Sequence, residues 1–456
     1  MSIQIQFLGA AGTVTGSKFL VSTDHYRLLI DCGLFQGEKH LRELNWHPLQ
    51  VAAKEIDVVL LTHGHLDHTG YLPLLVKYGF RGQIMATHPT IDIAKIILSD
   101  TAKINEKEAK RANEEGYSKH HPAKPLYTLE EVNHVYHFFK AIPPSRWIEL
   151  KTDIKVRFSY VGHILGATFI ELEISGKRLV FSGDIGRTND LLLYPPLKPK
   201  KADFLFLEST YGGKLHPEES ETLPLIEKTV NETVNRGGSI FIPSFSVERA
   251  QLLMFILHQL RMQNRIPKIP MIVDSPMGLS VLELFSRTRD WHRLNETSFF
   301  QLCSEFEIVS SFQETLEHRD DQKSKIVIAG SGMLTGGRIL NYLETQAQHD
   351  ENTLLFVGFQ AEGTRGRKLL EGGKEIKIYG KNIPFRMSVE EIEGLSAHAD
   401  QDELLNWLDQ IKQIPEKVFL IHGEKEASEA LRVRLAKDLN WTAQIPKLFD
   451  IEELMS

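Results

Sequence analysis

The sequence is poor in cysteine, in long apolar segments and in targeting signals, and each shortage excludes a class of protein. The two cysteines among 456 residues, Cys32 and Cys303, are too few for a disulfide framework and do not form a zinc-binding pair. No apolar run approaches the ~18 residues of a membrane span. The N-terminal residues lack the basic and apolar segments of a signal peptide, so we expect a cytoplasmic protein without a membrane span.

An excess of positive charge is also missing. Lysine and arginine number 53 against 60 acidic residues, which gives a formal net charge of −7. Such a chain does not attract polyanions over its whole surface, so a nucleic acid would have to be held by a local basic groove or by metal ions. Hydrophobic residues make up 42% of the chain and charged residues 25%, which is typical of a globular protein with a substantial core.

The pattern of apolar residues changes along the chain. Up to about residue 208 short strands predominate and helices are few, which indicates packed sheets with outer helices. Between 209 and 385, short and fully apolar strands alternate with helices, which is the pattern of a doubly wound parallel sheet. We therefore expect an α/β protein in which one domain, residues 1–208 and 386–456, is interrupted by a second domain at 209–385.

The strongest chemical signal is the segment HGHLDH at residues 63–68. It places three imidazoles and a carboxylate within six residues, directly after an apolar run that predicts a buried strand. Such groups are costly to bury unless they are paired or bind a metal. On an extended chain His63, His65 and Asp67 share one side, and His68 joins them if the chain bends into a helix. These side chains begin two metal sites but do not complete them.

Further ligand-type residues follow three other predicted strands, namely His163, Asp184 and His422. Strand ends at one edge of a sheet carry chemistry on a rigid scaffold, so we expect these side chains to meet the HGHLDH segment. The prediction is one metal bound by His63, His65 and His163, a second bound by Asp67, His68 and His422, and Asp184 as the bridge. Asp31, at another strand end, is expected to orient a ligand histidine. Two metals ~3.5–4 Å apart can share a hydroxide and stabilise a phosphoryl displacement.

These residues resemble those of the metallo-β-lactamase superfamily, and three further motifs resemble its β-CASP subgroup of nucleic-acid-processing nucleases. The motifs are the strand end 204–212 with Glu208, the segment GLSAHAD at 394–400 and the segment LIHGE at 420–424. The resemblance covers nearly the whole chain. It implies an αββα metallo-β-lactamase sandwich, in two parts at 1–208 and 386–456, interrupted by a parallel-sheet β-CASP domain at 209–385.

The histidine of the third motif, His422, is similar to that of the RNA-directed branch, which includes RNase J and the endonuclease of pre-mRNA 3′-end cleavage. The chain lacks the long C-terminal domain of RNase J and the KH-type extension of archaeal relatives, so it looks like the stand-alone bacterial-type members. The resemblance implies a ribonuclease with two Zn²⁺ ions per chain that hydrolyses single-stranded RNA through a metal-bridging hydroxide. Endonucleolytic cleavage is expected, a 5′→3′ exonuclease activity stays open, and the ligands would also accept Mn²⁺.

Two more residues are expected to take part in the reaction. His398 is the candidate general acid that protonates the leaving 3′ oxygen. Glu208 would hold the His398 ring and favour its protonated form. Asp67 is expected to steer the nucleophile as well as to bind metal. The three predicted catalytic residues are therefore Asp67, Glu208 and His398.

Two glycine-containing loops in the segment 209–385 are candidates for binding the RNA backbone. One follows a strand and contains Ser331, Gly332 and Met333, and the other contains Thr364 and Arg365. Glycines let a phosphate approach the backbone, and a helix N-terminus attracts an anion. Tight turns in a doubly wound fold explain such loops equally well.

Two other functions stay open at this point. A small-molecule hydrolase of the same superfamily, either a thioesterase or a phosphodiesterase, would not need Glu208 or His398. A catalytically silent RNA-binding subunit would not need the metal ligands, and their complete set argues against it. Single-stranded RNA is the expected partner, and a homodimer is one option for the oligomeric state.

Overall fold

The computed structural model describes residues 2–116, 118, 120–217, 219–244, 247–358 and 360–455, without the side chains of 219–221. The chain divides into two compact units, Met1–Leu215 with His398–Ser456 and His216–Ala397. Among the described residues, no helix combines the length and apolar character needed to cross a membrane. The domain boundaries predicted at 208 and 386 stay predictions.

The strands alternate with helices over most of the chain. In chain order they are β1 (Ile3–Phe7), β2 (Phe19–Thr23), β3 (Arg27–Ile30), β4 (Val58–Leu60), β5 (Gln83–Ala86), β6 (Phe139–Ala141), β7 (Ile148–Lys151), β8 (Ile154–Tyr160), β9 (Thr168–Ile174), β10 (Lys177–Phe181), β11 (Phe204–Glu208), β12 (Ile240–Pro243), β13 (Met271–Asp274), β14 (Glu307–Val309), β15 (Ile326–Ala329), β16 (Thr353–Phe356), β17 (Glu375–Ile378), β18 (Lys381–Pro384), β19 (Ser388–Glu391), β20 (Lys417–Ile421), β21 (Ala443–Gln444) and β22 (Ile451–Met455).

The helices range from single turns to the long α4. In chain order they are α1 (Lys39–Leu44), α2 (Leu66–Thr69), α3 (Leu72–Lys77), α4 (His88–Glu115), α5 (Leu129–Val135), α6 (Glu219–Asn235), α7 (Arg249–Met262), α8 (Gly278–Arg287), α9 (Glu296–Ser304), α10 (Phe312–Asp320), α11 (Ile339–Gln346), α12 (Arg365–Leu370), α13 (Gln401–Trp407) and α14 (Lys425–Leu439), with short 3₁₀ turns at Ala53–Glu55, Tyr136–Phe138 and Arg289–Trp291.

The first unit is a sandwich of two seven-stranded sheets, ordered β22-β1-β2-β3-β4-β5-β6 and β21-β20-β11-β10-β9-β8-β7. Apolar side chains of both sheets form one core, in which the Phe7 ring lies 5.3 Å from the Phe419 ring. The outer face of the first sheet is covered by α3, α4 and α5. On the second sheet, Trp407 of α13 contacts Phe169 of β9, with ring centroids 5.3 Å apart. The layers are therefore αββα, as the family resemblance implies.

The direction of the strands brings the ligand-type residues to one edge of each sheet. β8 and β10 are both antiparallel to β9, and β10, β11 and β20 are parallel, so these four strands run the same way. His163, Asp184 and His422 come shortly after the ends of β8, β10 and β20, and Glu208 is the last residue of β11. In the other sheet β3 and β4 are parallel, and Asp31 follows β3.

The second unit contains a six-stranded sheet with the order β14-β13-β15-β12-β16-β19. Every pairing in this sheet is parallel. Its four central strands, β13, β15, β12 and β16, are buried along their whole length, because both faces are covered by other parts of the chain. The predicted doubly wound parallel sheet is confirmed, and an antiparallel pair, β17 and β18, belongs to the same unit.

Candidate metal centre

The HGHLDH segment changes from extended chain to helix in its middle. β4 ends at Leu60, and α2 begins at Leu66 with His65 as its N-cap residue. The prediction that Asp67 shares one side of an extended chain with His63 and His65 is therefore wrong. Because the helix has already begun at Leu66, Asp67 is placed by a helical turn and groups with the next residue, His68.

The first ligand group consists of His63, His65, His163 and Asp184, whose donor atoms all lie within 4.8 Å of one another. His65 Nδ1 is 3.1 Å from His63 Nε2 and 3.2 Å from His163 Nε2. Asp184 Oδ2 is 3.5 Å from His63 Nε2 and 3.4 Å from His163 Nε2. Three imidazole nitrogens and one carboxylate oxygen thus face a common point.

The second ligand group consists of Asp67, His68 and His422, with donor atoms within the same 4.8 Å limit. His68 Nε2 lies 3.1 Å from His422 Nε2, which is 3.4 Å from Asp67 Oδ2. Asp184 Oδ1 is 3.4 Å from His68 Nε2. The two oxygens of Asp184 therefore face different groups, Oδ2 the first and Oδ1 the second.

The arrangement of these donor atoms is better explained by bound metal ions than by hydrogen bonds among the side chains themselves. Asp184 Oδ1 is buried and makes no hydrogen bond with any described residue. The Nε2 atoms of His68 and His422 are 3.1 Å apart. Because His68 Nδ1 donates to Asp31, a neutral His68 ring presents a lone pair at Nε2, which a metal ion can accept. Imidazole and carboxylate donors in sets of three or four are the ligands that Zn²⁺ binds.

The electrostatics of the cluster also call for positive charge. Burial opposes the charged form of His68, but Asp184, Asp31 and Asp67 outweigh burial and raise its pKa to about 10. Burial and the neighbouring His68 hold the pKa of His63 well below its usual range. Without a cation, a proton on His68 would compensate the carboxylates.

Asp31 lies on the side of His68 that faces away from the cluster. Its Oδ2 accepts a hydrogen bond from His68 Nδ1 at 2.8 Å, which leaves Nε2 for a metal. Thr62 contacts both Asp31 and His63, since its Oγ1 is 2.9 Å from Asp31 Oδ2 and 3.1 Å from His63 Nδ1. One carboxylate is thereby linked to a histidine of each ligand group.

A third group, Asp184, Glu208 and His398, lies next to the first two. Both oxygens of the buried Glu208 are 3.2 Å from His398 Nδ1, and Oε1 also accepts from the backbone N–H of Ile185 at 2.6 Å. His398 Nε2 is 3.9 Å from Asp184 Oδ2. Burial opposes ionisation of Glu208, but His398 outweighs it and lowers the pKa of Glu208. Glu208 therefore holds one ring nitrogen while the other faces the cluster.

Sequence reasoning missed two threonines that contact ligand-type histidines. Thr62 precedes His63, and Thr210 lies 3.1 Å from His422 through its Oγ1 and the ring Nδ1. Both follow apolar strands closely, as the predicted ligands do. Their position after an apolar strand could have indicated a role at the metal centre, but a threonine at a strand end is ordinarily interpreted as a turn residue.

The five predicted RNA-binding residues lie in the second unit, in two loops that contact each other. Arg365 donates from Nη1 to the carbonyl oxygens of Leu334 and Thr335, at 2.9 and 3.1 Å, and from Nε to that of Lys377 at 2.7 Å. The Gly366 N–H donates to the Met333 carbonyl at 3.3 Å.

The remaining residues of these loops are also held locally. Gln360 Nε2 donates to the carbonyl of Gly332 at 3.0 Å. The Ser331 and Thr335 hydroxyls are 2.9 Å apart, and Thr364 caps α12 by accepting from the Arg367 N–H. The second loop therefore supports the first.

Comparison with known proteins extends these observations over most of the chain. Family models match at residues 20–196 (Metallo-beta-lactamase superfamily domain), 250–369 (Beta-Casp domain) and 382–446 (Zn-dependent metallo-hydrolase RNA specificity domain). Ribonuclease TTHA0252 of Thermus thermophilus is 35% identical over 436 residues, which cover 94% of this chain and 95% of that protein. Transcription termination factor FttA of Methanocaldococcus jannaschii is 32% identical over 439 residues, covering 93% and 67%.

A solved structure shares the fold. A protein of unknown function from Enterococcus faecalis V583 has a TM-score of 0.52 and 13% identity, with 99% of this chain and 100% of that chain covered.

Proposed function

The chain belongs to the β-CASP family of metal-dependent hydrolases with the metallo-β-lactamase fold, and we propose that it is a zinc-dependent ribonuclease acting on single-stranded RNA. The observation that carries the proposal is the position of Asp184. Its two oxygens face the two ligand groups, and His398 Nε2 lies 3.9 Å from Oδ2. These distances support His398 as a proton donor beside a centre of two ions.

We propose two Zn²⁺ ions per chain, held by the ligand groups described above with Asp184 shared between them. When bound, the ions would lower the pKa of a coordinated water to about 7 and neutralise charge on a phosphate. The predicted alternative, Mn²⁺, would use the same donors, and metal analysis of the purified protein distinguishes the two.

The protein's own residues would handle the protons. His398 donates from Nε2 to the leaving 3′ oxygen, and Glu208 keeps the Nδ1 proton in place, so the ring presents a single donor to the substrate. Neighbouring His68 and His422 outweigh burial and keep the pKa of Asp67 below its usual range. An ionised Asp67 can accept a hydrogen bond from the attacking water and so direct it. The products are a 3′ hydroxyl and a 5′ phosphate.

RNA is favoured as the substrate by the comparisons and by His422. The relative from Thermus thermophilus is named a ribonuclease, and the family model at 382–446 is described by RNA specificity. We propose that the loop with Ser331, Gly332 and Met333 binds the RNA backbone. Thr364 and Arg365 contribute mainly by fixing the position of that loop.

The test uses one labelled single-stranded RNA in linear and in covalently circular form. Zinc-loaded wild type should cut both, because an endonuclease needs no end, whereas an exonuclease degrades only the linear form. Chelator treatment should abolish cleavage of both. His398→Ala should lower the rate by about 10²–10⁴-fold while two ions per chain remain bound.

Two outcomes would contradict the proposal. Intact RNA after incubation with metal-loaded enzyme would remove the nuclease assignment. Rapid hydrolysis of a small phosphodiester or thioester by both wild type and His398→Ala, without RNA cleavage, would favour the small-molecule hydrolase.

A further inference from the structure

The segment after β11 contacts His422 through both its backbone and its side chains. β11 and β20 are parallel, with Glu208 opposite Ile421. The Ser209 N–H donates to the His422 carbonyl at 3.3 Å, and the Ser209 hydroxyl donates to the Ile421 carbonyl at 2.9 Å. Thr210 Oγ1 then lies 3.0 Å from the carbonyl oxygen and 3.1 Å from the ring Nδ1 of His422. One hydroxyl thus contacts the backbone and the ring of the same histidine.

This geometry determines where the ring proton lies. A hydroxyl has one proton, and the Thr210 hydroxyl has two partners that can only accept it, the His422 carbonyl oxygen and the Glu208 carboxylate. Whichever of the two receives the proton, it is not available to the His422 ring. The Thr210 oxygen must then accept from the ring, which places the ring proton on Nδ1. The lone pair is left on Nε2, the atom 3.1 Å from His68 Nε2 and 3.4 Å from Asp67 Oδ2.

Another acceptor on this side of the ring is Asp184 Oδ1, which lies 3.6 Å from Nδ1. That separation is too long for a hydrogen bond. The Thr210 contact therefore also keeps this oxygen of Asp184 available to the second ligand group.

We propose that Thr210 is a positioning residue of the metal centre, whose hydroxyl selects the His422 tautomer that offers Nε2 to the second ion. The inference rests on the proposed function in one respect, since it requires His422 to bind metal. It goes further by making Glu208-Ser209-Thr210 a single support, in which Glu208 holds His398 and Thr210 holds His422.

The test is a double-mutant cycle read by metal affinity, which needs no RNA. Thr210→Val keeps the side-chain shape and removes the hydroxyl, and Thr210→Ser keeps the hydroxyl. Each metal-free variant is titrated with Zn²⁺ against a chelating indicator. We expect Thr210→Val to weaken binding of one of the two ions by about 10–100-fold, and Thr210→Ser to stay close to wild type. In a His422→Ala background, Thr210→Val should have no further effect.

A purely structural role predicts a different result. His422 has a left-handed backbone with φ of 49°, and the same hydroxyl also binds its carbonyl. If the hydroxyl affected zinc binding only through the general structure of the site and not through His422, Thr210→Val would weaken zinc binding equally in the His422→Ala background, which would overturn the proposal. If it only fixed the His422 backbone, the ¹⁵N shifts of zinc-loaded Thr210→Val would show the same His422 tautomer as wild type, which would also overturn it. Unchanged affinity of Thr210→Val for both ions would overturn it too.

A spectroscopic measurement keeps the inference testable if the valine variant does not fold. The ¹⁵N shifts of His422 in zinc-loaded wild type should show a protonated Nδ1 and a metal-bound Nε2. A metal-bound Nδ1 would contradict the tautomer assignment. Failure of wild type to bind zinc at all would remove this inference together with the proposed function, whereas two ions with unaffected Thr210→Val would remove this inference alone.

Discussion

At the scale of single residues, the proton on each of three imidazoles is fixed by a neighbour outside the two ligand groups. Asp31 accepts from His68, and the Thr62 hydroxyl, which donates to Asp31, accepts from His63. Thr210 does the same for His422. Because a hydroxyl has a single proton to donate, its partners determine which ring nitrogen of the histidine is protonated. Valine at the same position would keep the side-chain shape but would not select a tautomer.

The carboxylate of Glu208 gives a prediction for the catalytic proton. Glu208→Gln keeps a similar shape but removes the negative charge beside His398 Nδ1, so the charged form of the ring loses its partner. We expect cleavage to slow by about 10²-fold or more with two ions still bound, measured as kcat/KM across pH with metal analysis. Glu208→Asp, which keeps the charge, serves as the control and should lose less. Equal loss in both variants would indicate that charge is not the cause.

Lys18 gives a prediction for stability. It is fully buried and donates to the carbonyls of Gly16 and Gly33, at 2.9 and 2.7 Å. Burial lowers the pKa of Lys18 from 10.5 to about 8. Below about pH 8 Lys18 is protonated in both the folded and the unfolded chain, so folding has to bury a charged ammonium group and the full cost of its desolvation lowers stability. Between pH 8 and 10.5 Lys18 stays protonated only in the unfolded chain. The free energy of unfolding should therefore rise with pH, by up to about 3 kcal/mol.

The matched variant for this effect is Lys18→Met. It leaves two carbonyls without their donor and so lowers stability overall, but it should lack the rise between about pH 8 and pH 10. Urea unfolding of both proteins at several pH values measures the difference. Parallel curves for wild type and Lys18→Met would contradict the shifted pKa.

At the scale of elements, the turn after β3 packs against the segment after β4 so closely that there is no space for a side chain at Gly33. A Cβ added at Gly33 would overlap the carbonyl group of Asp67, at the start of α2. Gly33→Ala should therefore displace α2, lower stability by about 1–3 kcal/mol and weaken binding of the second ion. Gly336→Ala is the control, because nothing lies within 4 Å of a Cβ there. Thermal unfolding and zinc titration of the two variants check this, and equal behaviour would contradict it.

The elements also show how far the sequence could be interpreted. Apolar runs that end in histidine or aspartate are visible in the sequence, and His163 and Asp184 could be selected in that way. The early start of α2 was not visible, because Leu66-Asp67-His68 has no distinctive helix signal. Thr210 was missed because its partner His422 lies 212 positions away, and the β11–β20 pairing that joins them leaves no local pattern.

At the scale of the whole molecule, the fold class followed from hydrophobic patterns, but the strand order did not. Fully apolar strands alternating with helices predicted the parallel sheet of the second unit. The position of β15 between β13 and β12 depends on long-range packing that no local pattern records. The same holds for Lys18, whose burial depends on the turns around Gly16 and Gly33.

Metal removal should affect the stability of the whole chain. The ligand groups join residues that are distant in sequence, so ions that bind only the folded state stabilise it by mass action, by about 2.7 kcal/mol per site at a hundredfold excess over Kd. We expect chelation to lower the thermal midpoint and zinc to restore it. The His422→Ala variant should respond less, since it lacks a ligand of the second group. An unchanged wild-type midpoint would contradict metal binding at these residues.

The distribution of the ligand groups along the chain has a consequence for biosynthesis. All members of the first group lie at or before Asp184, whereas the second group also needs His422, which follows the segment 209–385. A chain that is still being synthesised therefore lacks a member of the second group until His422 has been added. The proposed pair of ions, and the RNA cleavage that would depend on it, therefore requires the part of the chain after residue 385 to be present.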